Sequence, residues 1–330
     1  MTRAFVTKEQ VTSPVRTAFG AGRRIEAITR LTGGSKKGVY RLALDDDTTA
    51  LLYYWGTQEN YWPDPPGGGL ADRADPFSAA SGLDLFRAAH ARLDALGVRV
   101  PRIHLADASG EHLPGDLALV EDVPGGTLEE LLGRDPSAAR PALDRLRDHL
   151  GRMRLARNGR PGKVALVDGA EAVPMKSPER YVLDRALVDL ADGAARIERL
   201  AAARGRVEER LRRLAADVPP RDGYALIHGE LGPDHVLLDR RGEPVLIDIE
   251  GAMFFDVEWE HIFLRLRFAE HYRWLRADGL DERRLRCYAL AMHLSLVAGP
   301  LRLLDGDFPH RERMLAIVAY NLERVLAFPN

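Results

Sequence analysis

The side chains able to do chemistry concentrate in residues 225–260, ALIHGELGPDHVLLDRRGEPVLIDIEGAMFFDVEWE. An apolar run ends on His228-Gly229-Glu230, and a Gly-Pro turn then presents Asp234 and His235. Two short apolar runs follow, 236–238 and 244–247, separated by Arg240, Arg241 and Gly242 and ending on Asp248-Ile249-Glu250. This spacing predicts two strands with polar and acidic groups in their connecting loops. A carboxylate at the end of an apolar strand is costly unless satisfied. Oxygen-bearing groups in such loops suit a metal–phosphate site, because Mg²⁺ takes oxygen ligands and shares itself with substrate phosphates. A turn-capping Asp248 is the bland alternative.

Several elements must position these groups. Residues 25–30, 39–44 and 48–55 read as strands joined by Gly33-Gly34-Ser35-Lys36-Lys37-Gly38 and by Asp45-Asp46-Asp47, an antiparallel meander. The Gly-rich turn is not a Walker A loop, because no Gly-Lys-Ser/Thr closes it, and it holds no G-x-G-x-x-G. Residues 60–75 read as loop and 76–96 as helix, with Gly97 as its stop. Strands are expected over 98–105 and 117–121. Asp122-Val123-Pro124-Gly125-Gly126 then breaks the pattern, and Thr127 is placed to cap a helix over 128–132. Residues 141–156, 180–218, 259–277, 281–304 and 310–328 carry helical apolar spacing.

Residues 225–260 resemble the catalytic core of the aminoglycoside phosphotransferase and choline kinase-like family, small-molecule relatives of the protein kinases. That family carries His-Gly-Asp, an Asn five residues after the Asp, and a metal-binding Asp on the next strand. Here the matching positions are Glu230, His235 and Asp248. The spacing agrees, whereas Glu replaces Asp and His replaces Asn. The resemblance implies an α+β, two-lobed protein-kinase-like fold, with a small antiparallel-sheet N-lobe (1–121), a hinge (122–126) and a larger, mainly helical C-lobe (127–330). It further implies transfer of the γ-phosphate of ATP or GTP to a hydroxyl of a small molecule, with antibiotics and amino-sugar-like compounds among the substrates. Phosphoryl transfer needs positioned phosphates, a metal to neutralise charge and a carboxylate to orient the attacking hydroxyl.

The implied roles follow residue by residue. Glu230 takes the catalytic carboxylate position and His228 braces its loop. Asp248 is the implied metal ligand for Mg²⁺ or Mn²⁺. His235 and Glu250 are candidates to complete the set, with imidazole better matched to Mn²⁺ than to Mg²⁺. Asp256 resembles the downstream Asp that ties the catalytic segment to the helical lobe. Gly33, Gly34, Ser35, Lys36 and Lys37 would cover the phosphates, and the backbone of Glu121 and Val123 would meet the nucleobase. The family's lysine on the third strand is missing from TTALLYYW, and the helix expected over 76–96 holds no Glu to pair with it. Lys36 or Lys37 is expected to reach the phosphates instead, the alternative being a solvated hairpin tip. These departures keep open a catalytically impaired nucleotide-binding pseudokinase, acting as a sensor or interaction module, and a nucleotidyl transferase on the same fold.

Composition bounds the rest. A chain of 330 residues holds two lobes with ample core. A formal net charge of −2 does not indicate a nucleic-acid or anionic-membrane surface. Cys287, the only cysteine, lies in an apolar run and suits a buried thiol in a reducing cytoplasm. The N-terminal residues lack an apolar signal core, and the longest apolar stretch, 287–298, is too short to span a bilayer. A cytoplasmic monomer or homodimer is expected. Asp168, Glu171, Glu179 and Asp184 would suit a cationic acceptor or form an ordinary solvated face.

Overall fold

Thr7, whose backbone N–H donates to Gln10 Oε1 at 2.8 Å, starts a helix at the N-terminus, α1 (Lys8–Phe19). Pro14 lies inside this helix and interrupts the pattern that would have announced it. The structure is a computed structural model that describes residues 3–32, 34–63, 75–169 and 175–329. Gly33, Glu171 and most of the expected 60–75 loop lie outside the described residues.

After α1 come β1 (Ile25–Arg30), β2 (Gly38–Leu44), β3 (Thr49–Trp55), α2 (Leu83–Ala95), β4 (Ile103–Asp107) and β5 (Asp116–Glu121). The chain continues through α3 (Leu128–Arg134), α4 (Arg140–Leu155), β6 (Arg157–Asn158), β7 (Gly162–Lys163) and α5 (Val164–Val167). Next are α6 (Pro178–Arg196), α7 (Glu198–Ala216), β8 (Tyr224–Ile227), β9 (Val236–Leu238), β10 (Pro244–Leu246) and β11 (Met253–Phe255). The last helices are α8 (Val257–Phe268), α9 (Glu282–Leu303) and α10 (Arg311–Leu326). This is an α+β fold, an antiparallel N-terminal sheet followed by a mainly helical region.

Contacts divide the chain into two units. The first comprises Met1–Trp62, Ala80–His149 and Pro233–Gly251; the second comprises Pro63–Ala79, Leu150–Gly232 and Ala252–Asn330. The expected lobes divide at the hinge, whereas these units keep 127–149 and 233–251 with the N-terminal sheet. The reason is local: Leu246 N–H donates to Arg99 C=O at 2.9 Å, and Leu238 N–H donates to Gly126 C=O at 2.9 Å.

In the first unit the antiparallel sheet runs β1-β2-β3-β5-β4. Alternation along β2 puts Tyr40, Leu42 and Leu44 on one face, where they join Val11 and Val15 of α1 and Leu52, Leu117 and Leu119. On the other face Tyr53 meets Phe86 of α2, with ring centroids 5.6 Å apart. Helix α2 begins at Leu83 rather than at residue 76, because Gly82 has φ +129°, outside helical space. β9 and β10 pair as a separate hairpin, Pro244 opposite Leu238.

In the second unit the sheet runs β6-β8-β11-β7. Ile227, Met253 and Phe255 of this sheet join Leu190, Leu200, Val207, Leu211, Leu294 and Val297 of the helices in one core. The run expected over 180–218 is two helices, because Ile197 adopts extended backbone (φ −129°, ψ 110°) between α6 and α7.

Candidate active site

The first unit brings together groups more than two hundred residues apart in sequence. Lys37 directly precedes β2 at the end of the Gly-rich turn. Its Nζ donates to Asp248 Oδ1 at 2.8 Å and to Glu250 Oε1 at 2.5 Å. The ammonium is buried and lies 5.1 Å from the centroid of the Tyr53 ring, a cation–π geometry. Asp248 follows β10 with φ +58°, the left-handed region that costs an L-residue energy and is retained where surrounding contacts enforce it. Its side chain is 48% exposed, whereas that of Glu250, in the 3-10 turn Ile249–Gly251, is 3% exposed.

Charge organises this cluster. Burial pulls the Lys37 ammonium towards its neutral form, and the Asp248 and Glu250 carboxylates overcome that pull, holding it firmly cationic. The Lys37 charge holds the Asp248 carboxyl well below the usual range, with His235 helping. Burial pushes the Glu250 carboxyl up, opposed by Lys37 and reinforced by Asp248. His235, in the 3-10 turn Pro233–His235, places Nε2 at 3.9 Å from Asp248 Oδ2 and 3.8 Å from Asp234 Oδ2. Among the described residues no three His, Cys, Asp or Glu side chains form a metal cage. The donors nevertheless suit a hard cation shared with phosphates. Asp248 is open to solvent, and among the described residues Glu250 Oε2 is buried without a hydrogen-bond partner.

The turn that carries Lys37 is anchored from the side. Ser35 accepts from Tyr61 N–H through its carbonyl at 2.8 Å and from Trp62 Nε1 through its hydroxyl at 3.0 Å. A side chain at Gly34 would put its Cβ 2.7 Å from the Lys37 carbonyl. Lys36 diverges from its neighbour and lies 5.8 Å from the Trp62 ring. Of the two lysines, Lys37 bonds to the carboxylates, and the Lys36 charge adds a smaller attraction on Asp248.

The segment expected to be the hinge packs on β9. A Cβ on Gly125 would lie 2.1 Å from the Leu238 carbonyl oxygen, so glycine is required for this approach. Thr127 and Glu130 form a reciprocal capping box at the start of α3. The Glu121 side chain binds Arg99 and the Arg102 amide, and Asp122 accepts from Arg41 at 2.7 and 3.1 Å. Val123 is buried.

The second unit holds the His228-Gly229-Glu230 loop. Buried β8 delivers it, His228 is buried, Gly229 has φ +92°, and Glu230 is exposed. Gly229 N–H donates to Glu260 Oε2 at 2.7 Å. Burial pushes the Glu260 carboxyl up to about 7, opposed by the Gly229 and His228 amides and reinforced by Glu230.

Glu260, which the sequence reading did not single out, thus holds the Gly229 amide. Asp256 is fully buried and is bound by Arg284 and Tyr288 of α9 and by Arg221, which ties its segment to the helices. The signal for Glu260 was present: DVEWE places three acids at the start of an apolar helix, and each needed a partner. The proposed cation-binding face also changes. Asp184 pairs with Lys176 and Arg180, and Glu179 lies 3.6 Å from Arg284, so neither is an unopposed charge.

A phosphotransferase enzyme family model matches residues 58–288, well over half of the chain, and the chain belongs to that family. It is a family of small-molecule kinases. Among solved structures, a mutant of aminoglycoside 2'-phosphotransferase-IIIa in its GDP complex matches with TM-score 0.66 and 17% identity, over 97% of this chain and 99% of that one. Choline kinase LicA from Streptococcus pneumoniae matches with TM-score 0.64 and 11% identity, over 97% and 99%. A thermostable mutant of aminoglycoside phosphotransferase APH(4)-Ia, in ternary complex with ADP and hygromycin B, matches with TM-score 0.61 and 15% identity, over 97% and 100%. Such low identities carry the fold alone. A search of the curated proteins gave no match.

Proposed function

We propose that the chain transfers the γ-phosphate of ATP or GTP to a hydroxyl of a small molecule, with antibiotic- or amino-sugar-like compounds as the first acceptors to test. The observation that carries this reading is the cluster of Lys37, Asp248 and Glu250, a cation beside two carboxylates at a strained strand end. In this reading Lys37 and the amides of the 34–37 turn bind the phosphates, and the Glu121 carbonyl and Val123 amide meet the nucleobase. Asp248 and Glu250, with His235 beside them, would hold Mg²⁺ or Mn²⁺. A metal held there would supply positive charge to the transferring phosphoryl group. Glu230, exposed at the end of its loop, orients the acceptor hydroxyl and receives its proton, while buried His228 supports the loop.

The test is incubation with γ-labelled ATP or GTP, Mg²⁺ or Mn²⁺ and pooled hydroxyl-bearing metabolites and antibiotics. Label should appear on an acceptor, and Asp248→Ala and Glu230→Gln should each abolish most of that transfer. Nucleotide binding without any transfer would support a nucleotide sensor instead. Lys37→Ala should raise the nucleotide Kd and Lys36→Ala should leave it nearly unchanged. Among the described residues no helix is long and apolar enough to cross a membrane.

A further inference from the structure

Lys37 occupies the carboxylates that a divalent cation would need. Its ammonium engages one oxygen of Asp248 and one of Glu250, at 2.8 and 2.5 Å, and it is buried against Tyr53. A second cation brought to those oxygens would meet a fixed like charge at short range. The backbone that carries this lysine is anchored through Ser35, but its side chain is long. It sits at the end of a Gly-rich turn, one residue before β2, on a four-carbon stem with freely rotating donors. Phosphate oxygens in the same space would compete with the carboxylates for its three hydrogens. Among the described residues Glu250 Oε2 is buried without a hydrogen-bond partner.

We propose that Lys37 is a tethered counter-ion that holds Asp248 and Glu250 until nucleotide phosphates draw it away, so that a divalent cation enters only together with the nucleotide. This rests on the reading of Asp248 and Glu250 as cation ligands, and goes beyond it by making Lys37 the determinant of binding order. Metal and nucleotide are thereby coupled through one side chain, and such coupling is reciprocal, with typical factors of about 5- to 150-fold.

The experiment is Mn²⁺ binding, followed by electron paramagnetic resonance, in the absence of nucleotide. The unmodified chain should bind Mn²⁺ weakly, Lys37→Gln and Lys37→Met about 5- to 150-fold more tightly, and Lys37→Gln combined with Asp248→Asn weakly again. Far-ultraviolet circular dichroism establishes that the variants are folded. A measurement on the unmodified chain needs no variant: Mn²⁺ alone should leave Tm unchanged at concentrations that raise it in the presence of ADP beyond the shift given by ADP alone. Equal Mn²⁺ affinity in the unmodified and Lys37-substituted chains would overturn the proposal. So would tight Mn²⁺ binding by the unmodified chain without nucleotide. If Lys37→Gln binds no Mn²⁺ yet Mn²⁺ with ADP binds in an Asp248-dependent way, the gate fails and the metal site stands. If Asp248→Asn changes nothing in any arm, both fail.

Discussion

Glu260→Gln should flatten the dependence of stability on pH between about 4.5 and 7. The Glu260 carboxyl rises from 4.5 in the unfolded chain to about 7 in the fold, with burial as the main cause. Between those values the folded state holds a proton that the unfolded state has released. Stability must therefore be fully present below 4.5 and lost as pH rises towards 7. At 1.36 kcal/mol per pH unit, the span amounts to about 3 kcal/mol. Glutamine keeps an acceptor for the Gly229 N–H, now 2.7 Å from Glu260 Oε2, and cannot ionise. Urea denaturation at a series of pH values from 4 to 8 measures the effect. The unmodified chain should lose about 3 kcal/mol more than Glu260→Gln across that range. Parallel pH profiles for the two proteins would refute the assignment of a buried, proton-holding carboxyl behind the Gly229 loop.

Arg284→Met should destabilise the second unit by about 3–5 kcal/mol in chemical denaturation, because it leaves the fully buried Asp256 without its main cation; a loss below 1 kcal/mol would show that Arg221 and Tyr288 suffice. Gly125→Ala should cost about 1–3 kcal/mol and raise the Kd of a fluorescent nucleotide analogue, since its Cβ would lie 2.1 Å from the backbone oxygen of Leu238. Glu230→Asp should lower kcat on the order of 10²-fold with nucleotide KM unchanged, because the side chain shortens by about 1.5 Å while Glu260 fixes the Gly229 amide; a faster enzyme would show that Glu230 is a degenerate position.

Much of this architecture was legible in the sequence, and the misses have physical causes. The meander, the β9–β10 hairpin and the Thr127 cap follow from alternation and from local turn chemistry, which act over a few residues. Helix α1 was hidden by Pro14, and the break at Ile197 carries neither Gly nor Pro to mark it. The two-residue strands β6 and β7 exist only through their partners in β8 and β11, so no local pattern announces them. Glu260 was readable as a buried acid in need of a partner, but not which partner: that depends on a contact across 31 residues between α8 and the Gly229 amide. The choice of Lys37 over Lys36 depends on contacts with Asp248 and Glu250, more than two hundred residues away, which no local pattern carries.

Two departures in the sequence become one arrangement in the structure. A third strand without lysine and a helix without glutamate read as two separate losses, each of which would weaken a phosphate site. Lys37 and Glu250 instead pair with each other at 2.5 Å, the cation supplied by the turn before β2 and the carboxylate by the turn after Asp248. Tyr53 of β3 lies with its ring against the ammonium, so an aromatic residue supports the lysine from the strand that lacks one. A lysine placed at position 53 while Lys37 remains would set two ammonium groups against one pair of carboxylates, and removing Lys37 alone would strand Glu250 in a buried site. The charge balance of the cluster therefore rests on Lys37 as its cation, with Asp248 and Glu250 as the negative side.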